Sequence, residues 1–399
     1  MWSLFFILFV FALVLALSKR LNLGYSLMAG SIVLAVFTRM GVEEFLGSIL
    51  EVFTDRDSLG LIASILLILV LSEALKSGGQ LDRLVAESKK IFHDVRLTVF
   101  VLPALVGFLP MPGGAHFSAP MVDSVFKEIP ISPEKKSFAN YWFRHVWEYI
   151  MPIYPGIVAA AALTGIGIAR LIRVNVFLTL AAIAAGVVIT FGRGFTVREK
   201  RPYAGSVKAV LVFLRELSPV LGVVALAGIF SVDLNIALLF GIASALILGG
   251  RGLKSAIGSF RAGFKIDVLI MLLGILFFRN VISGSGVVDD IALFMNANDI
   301  GVIPVVFGLS VLSGFVTGIT IAFVGITFPI ILSMIEATPG NMMFIFASGF
   351  AGVLLSPVHL CLVLSNRYFG AGLLRMYRML VPAAAFVVLA GAAGYFVFG

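Results

Sequence analysis

The chain has 399 residues, 60% of them hydrophobic and only 13% charged, with a mean hydropathy of +1.10. That much apolar surface exceeds what one globular core can bury, so a water-soluble enzyme or binding module is excluded and lipid must be the solvent. The 29 Lys and Arg outnumber the 21 Asp and Glu, but the cations fall between apolar runs, where membrane topology accounts for them and no nucleic-acid partner is expected.

A crossing of the hydrocarbon layer takes about 20 mostly apolar residues. Such runs lie at 2–17, 23–38, 58–75, 138–165, 171–191, 209–230, 233–249, 266–282, 341–365 and 378–397, and they predict an all-α integral membrane protein with about ten crossings. Trp2 to Leu17 is expected to be the first crossing and not a signal peptide, because Lys19 and Arg20 follow it and nothing basic precedes it. The single cysteine, Cys361, sits in an apolar run, which excludes an intrachain disulfide and a cysteine-rich metal site and predicts a small buried hydrophobe.

Loop charge sets the orientation. Lys19 and Arg20, Lys76 to Arg96, Lys127 to Lys136, Arg193 to Lys208, Arg251 to Lys265 and Arg367 to Arg378 share one side if both termini lie outside the cytoplasmic membrane. The alternate loops are acidic or neutral, carrying Glu43, Glu44, Glu51, Asp55 and Asp57, then Asp233, then Asp289, Asp290 and Asp299. Only Arg170 and Arg173 dissent.

The two halves resemble each other. Asn22-Leu23-Gly24 to Gly30 aligns with Asp233-Leu234-Asn235 to Gly241, Leu66-Leu67 and Ser77-Gly78 with Leu272-Leu273 and Ser283-Gly284, and Leu102, Leu105, Gly107, Phe108 and Ala115 with Leu309, Leu312, Gly314, Phe315 and Ala322. Pro152 pairs with Pro357. Collinear matches over such a length predict a first repeat at 1–192, a cytoplasmic linker at 193–208 and a second repeat at 209–399, each with five crossings. An odd number of crossings forces the second copy to be inverted.

Segments 95–126 and 301–335 are apolar but interrupted by Gly and Pro, so each is expected to be a re-entrant hairpin dipping into the bilayer. The helix after each hairpin, 138–165 and 341–365, carries a proline near its middle (Met151-Pro152-Ile153-Tyr154-Pro155-Gly156 and Leu355-Ser356-Pro357-Val358-His359) and is expected to unwind there. Free amides and carbonyls at such breaks can hold an anion or a cation. Candidate substrate contacts are therefore Pro112, Gly113, Gly114, His116 and Ser118 at the first hairpin, Thr317, Gly318 and Thr320 at the second, and Ser356 and His359 at the second break. Ionisable residues inside a membrane are costly to bury. His116, His359, Glu148 and Glu73 are accordingly the candidates for proton or cation coupling, Glu73 with Arg279 as an ion-pair partner across the repeats. Arg144 and Glu148, four apart, are expected to pair on one helix face, with anion attraction by Arg144 as the alternative.

With inverted five-helix repeats, a hairpin and a broken helix in each, the chain resembles the ion transporter superfamily, which includes gluconate permeases, divalent-anion and citrate symporters, and arsenite or sodium/proton antiporters. Within it, Leu109 to Pro120 and Ser356-Pro357-Val358-His359 are most similar to an uncharacterised, gluconate-permease-like family, domain of unknown function 401. The resemblance implies an elevator-type secondary transporter, usually a homodimer, that takes a small organic anion, a carboxylate, with H+ or Na+ and needs no other cofactor. The Ser-Asn-Thr signature of the dicarboxylate branch is absent, Pro112-Gly113-Gly114 and Thr317-Gly318-Ile319-Thr320 standing at the tips, and the histidines favour protons. A cation/proton antiporter and a channel are the rivals; an intramembrane enzyme lacks its usual His-Glu-x-x-His or Gly-x-Ser-x-Gly pattern.

Overall fold

The computed structural model describes residues 2–92, 94–108, 114–126, 131–192, 207–250, 253–287, 301–332 and 334–398, with isolated positions between 290 and 298. Every regular element among the described residues is helical. In chain order these are α1 (Trp2–Ser18), α2 (Leu23–Phe37), α3 (Val42–Thr54), α4 (Arg56–Ser77), α5 (Gln80–Ile91), α6 (Val95–Gly107) and α7 (Ala115–Phe126). There follow α8 (Pro133–His145), α9 (Pro155–Thr164), α10 (Ile168–Phe191), α11 (Val207–Val223, continued by a π-turn at Val224–Ile229), α12 (Leu234–Leu248), α13 (Leu253–Gly263) and α14 (Ile266–Gly284). The last five are α15 (Val302–Thr317), α16 (Thr320–Ile331), α17 (Pro339–Leu355), α18 (Leu360–Phe369) and α19 (Leu373–Phe398).

Among the described residues, six helical segments are long and apolar enough to cross a bilayer: Arg56–Ser77, Ile168–Phe191, Val207–Ile229, Ile266–Gly284, Pro339–Phe369 and Leu373–Phe398. They make the chain a membrane protein. Large apolar side chains such as Val36, Leu50, Ile247, Leu374 and Phe396 stand exposed on the outer faces, where lipid tails are their natural surroundings. Helices such as α6, α7, α9 and α16 are much shorter. At 1.5 Å per residue, a 12-residue helix reaches only about 18 Å, well under a full hydrocarbon thickness.

Side chains fix where helices start. Asn22 and Asp233 cap α2 and α12, accepting from the amides of Gly24 at 2.8 Å and Asn235 at 2.9 Å. Ser132 and Thr338 cap α8 and α17, each followed by proline at the first helical position, where its missing amide is no loss. Asp55 caps α4 through the Ser58 amide at 2.9 Å and also accepts from the Ser58 hydroxyl at 2.7 Å, and those bonds hold its carboxyl below the usual carboxylate range.

Packing then joins the two halves. α2 lies on α14 and α4 on α12, while α3 contacts α14 and α13 contacts α4. Gly24 makes the first crossing: a Cβ there would overlap the backbone of Ile270, and one on Gly274 would overlap Gly24, so the two helices touch through bare backbone. At the aligned crossing Ser64 of α4 hydrogen-bonds Asn235 of α12 at 2.9 Å. Toward the other end of the chain, α6 packs on α8, α15 on α17, α9 on α16 and α7 on α18.

Three helices were expected to be loops. α3, α5 and α13 carry charge on one face, so a search for continuous apolar runs passes over them, although their alternation suits a helix lying along an interface.

Candidate functional site

The first break contains two prolines, Pro152 and Pro155. α8 ends at His145, the chain turns through Val146 to Tyr154, and α9 restarts at Pro155 with proline in its first turn. Unwinding frees carbonyls, and α10 satisfies them: Thr179 donates to Val146 O at 3.1 Å and Asn175 to Tyr149 O at 3.0 Å. At the second break α17 ends at Leu355 and α18 begins at Leu360. There the Tyr141 hydroxyl donates to Leu354 O at 2.9 Å and Tyr377 to Leu355 O at 2.8 Å.

The C-terminal ends of α6 and α15 are closed in the same way. Trp147 Nε1 donates to Ala104 O at 3.1 Å, and the Tyr154 hydroxyl donates to Gly107 O. Thr317 bonds back to Ser313 O at 2.8 Å, and His359 Nδ1 lies 2.8 Å from Gly318 O. Carbonyl ends are thus met by side-chain donors. The amide ends are not: α9, α16 and α18 begin at Tyr154, Ile319 and His359 with no side-chain cap.

Those three helix starts border one cavity of about 440 Å³. Arg144, His145, Glu148, His359 and Cys361 supply its polar wall. Arg144, buried, places Nη1 3.2 Å from Cys361 Sγ and 3.4 Å from His145 Nε2. His145 Nε2 lies 3.1 Å from His359 Nε2 and 3.7 Å from Glu148 Oε1. Glu148 Oε2 accepts from Thr320 Oγ1 at 2.9 Å. The wall is held from behind, since Asn140 donates to Ser365 Oγ at 2.8 Å and Ala115 O at 3.1 Å, tying α8 to α18 and α7. The donor atoms of His145, His359 and Cys361 all lie within 4.8 Å of one another, a set that could hold a transition-metal ion.

Of the residues singled out from sequence, Thr317, Gly318, Thr320, His359 and Glu148 line this cavity. Gly318 has φ +63°, and a Cβ on it would crowd Ser356 Oγ and the His359 amide. Ser356 itself is buried behind the cavity wall and accepts from the Val358 amide at 3.4 Å. Gly114 lies against the Arg144 guanidinium, which leaves no room for a side chain there. Ser118 is buried and turned back to Ala115 O at 3.4 Å, away from the cavity. Pro112 and Gly113 lie outside the described residues, as does the side chain of His116.

Two expectations need correction. Glu73 does not line the cavity, and no ion pair joins it to Arg279 among the described residues; Arg279 instead adds a minor pull on the Asp55 carboxyl. Arg144 and Glu148 are not paired along one helix face, because α8 stops at His145 and the turn brings Glu148 beside His145. Sequence reasoning also passed over His145, Tyr154 and the chemistry of Cys361. His145 was one of only four histidines and stood between two candidates, Arg144 and Glu148.

The model of a family described as protein of unknown function (DUF401) matches residues 1–398, so the chain belongs to that family. No curated protein matches it.

Proposed function

We propose that this family member is a secondary active transporter of a small organic anion, a carboxylate of gluconate type, coupled to H+ in preference to Na+ and working by elevator-like alternating access in the cytoplasmic membrane. The asymmetry of the breaks carries the reading. Where helices end at the site, side chains take up the carbonyls; where α9, α16 and α18 begin at the cavity, no side chain caps the amides. Helix starts favour anions, and Arg144 adds a full positive charge beside them. A cation site would need the opposite arrangement, with free carbonyls and closed amides.

An architecture of ten crossings in two inverted repeats supports this reading. α1, α2, α4, α8 with α9, and α10 would be the first five crossings, α11, α12, α14, α17 with α18, and α19 the second five, with α6–α7 and α15–α16 as re-entrant hairpins. In favour of it, contacts come in exchanged pairs: α2 with α14 and α12 with α4, α6 with α8 and α15 with α17, α9 with α16 and α18 with α7. Asn22 and Asp233 cap corresponding helices, and so do Ser132 and Thr338. Five crossings per half put both termini on the outer side by loop charge. A homodimer is what the resemblance to elevator transporters implies.

A cation/proton antiporter is the second reading, and the buried carboxylate of Glu148 favours it. Arg144, however, would repel a cargo cation from the same cavity.

Proteoliposomes test the choice. Purified protein should accumulate gluconate, or a related carboxylate, when an inward proton gradient is imposed, and should be indifferent to sodium. Thermal-shift screening of carboxylates and oxyanions with and without sodium gives the substrate class independently, because a ligand of the folded state raises its apparent stability. Uptake blind to both gradients would sink the symport; sodium efflux driven by protons with no carboxylate requirement would favour the antiporter.

A further inference from the structure

Two imidazoles meet at the centre of the cavity wall, and backbone carbonyls dictate how they are protonated. His145 Nδ1 lies 2.6 Å from Tyr141 O, and His359 Nδ1 lies 2.8 Å from Gly318 O. A carbonyl oxygen can only accept, so each Nδ1 carries the hydrogen. A neutral ring fixed in that tautomer has a bare lone pair at Nε2. Yet the two Nε2 atoms stand 3.1 Å apart, a hydrogen-bond distance at which two lone pairs repel. One hydrogen ion between them turns the repulsion into a charge-assisted N–H···N bond.

We infer that His145 and His359 share a single proton between their Nε2 atoms, with Glu148 as its counter-ion, and that this pair carries the proton that travels with the anion. The second half of the inference rests on the transport reading above. The proton comes from water on one side of the membrane, sits between the rings with no bond broken elsewhere, and returns to water on the other side.

The surrounding charges give the coupling its direction. On the α8 side the pair faces Arg144 Nη1 at 3.4 Å, Glu148 Oε1 at 3.7 Å and the Tyr141 ring, whose centroid is 4.7 Å from that of His145 and 5.5 Å from that of His359. From α18 comes the Cys361 thiol, from α16 Thr320, which is bonded to Glu148, and from the turn before α9 Tyr154. Without the shared proton, Arg144 and Glu148 cancel, and an entering carboxylate finds no net attraction. With it the wall has one positive charge in excess, which a carboxylate monoanion neutralises. Proton and anion therefore bind cooperatively, each raising the affinity of the other by the same factor.

A transition-metal ion could take the same two lone pairs with Cys361 Sγ as third donor. Arg144 tells against it: its guanidinium already lies within 3.4 Å of two of those three donors and would have to be displaced for a metal ion to reach them.

The test uses full-length protein in detergent with ring-15N-labelled histidine, and His145→Asn and His359→Asn, since the Asn amide nitrogen reproduces the Nδ1 donor and removes Nε2. Nitrogen resonances are followed from about pH 5 to pH 8, where imidazole titrates. Two of the four histidines should titrate as one unit taking up one proton, with Nε2 signals between the bare and protonated extremes, and either Asn variant should abolish that signature in the remaining ring. The gluconate-induced thermal shift should grow as pH falls in the unaltered protein and become independent of pH in both variants. Nε2 signals that stay bare throughout, rings that titrate independently, or about one transition-metal ion per chain in the purified protein would overturn the shared proton. A shared proton seen without any carboxylate-induced shift would leave the pair standing and remove its transport role.

Discussion

The Thr320 hydroxyl, on the first turn of α16, donates to Glu148 Oε2 at 2.9 Å across 172 residues of sequence. It joins the start of α16 to the turn between α8 and α9. Beneath this bond Gly156, at the start of α9, has no space for a side chain, because a Cβ there would strike the Thr320 methyl. The carboxylate is thus held by the start of α16, which itself packs on the start of α9.

Removing that hydroxyl isolates the bond. Thr320→Val keeps the branched shape but leaves a buried carboxylate oxygen without its donor, which costs about 1–3 kcal/mol. Thr320→Ser keeps the donor and should cost much less. Thermal unfolding in detergent should therefore rank the unaltered protein and Thr320→Ser together, with Thr320→Val clearly below; equal melting of all three would show that the bond contributes nothing.

Close approach around Arg144 gives a second prediction. A Cβ on Gly107 would land on the Arg144 carbonyl, whereas one on Gly167 meets nothing within 4 Å. Gly107→Ala should destabilise by about 1–3 kcal/mol through overpacking, and Gly167→Ala should be near neutral. Displacing the Arg144 backbone should also weaken the carboxylate-induced thermal shift in Gly107→Ala, an effect Gly167→Ala should not share.

The two breaks were legible because proline acts locally: Pro152, Pro155 and Pro357 each remove an amide donor and disfavour an unbroken helix. The site was legible only in part. His359, Thr320 and Gly318 were found because they flank such breaks. His145 was missed because Arg144 and Glu148 were placed on one continuous helix, and the end of α8 at His145 is set by contacts from α10 to Val146 and Tyr149 that no local pattern encodes. Cys361 reads by residue type as a small hydrophobe, and residue type alone does not place a guanidinium 3.2 Å away. Glu73 and Arg279 align when the two halves of the sequence are matched, but alignment specifies equivalent positions and not contact.

Outside the membrane, Asp55 should govern part of the acid response. Its carboxyl is held below the ordinary value chiefly by Ser58, so it stabilises the folded state at pH values above the unfolded carboxylate range. That contribution is lost as pH falls through the lowered folded value. Asp55→Asn, which keeps an acceptor for the Ser58 amide, should melt with a flatter dependence on pH below about pH 4. Parallel curves for the two proteins across that window would remove Asp55 from the acid response.

Arg144 offers the sharpest separation of charge from shape. Its guanidinium reaches Cys361 Sγ and His145 Nε2 with one nitrogen while its other face lies on Gly114. Arg144→Lys keeps the charge but gathers it at the end of a flexible stem that cannot reproduce the planar contacts. Arg144→Met removes the charge and keeps much of the bulk. If the residue attracts the anion as a fixed, oriented charge, gluconate binding followed by thermal shift should weaken by at least about tenfold, or about 1.4 kcal/mol, in Arg144→Lys and vanish in Arg144→Met. Removing Arg144 alone leaves the buried Glu148 carboxylate without the charge that offsets it, so the Met variant should also melt lower, by about 3–5 kcal/mol, and its ligand-induced shift is read against its own unliganded melting. Unchanged binding in both variants would confine Arg144 to packing and would leave the uncapped starts of α9, α16 and α18 as the sole basis for an anion site.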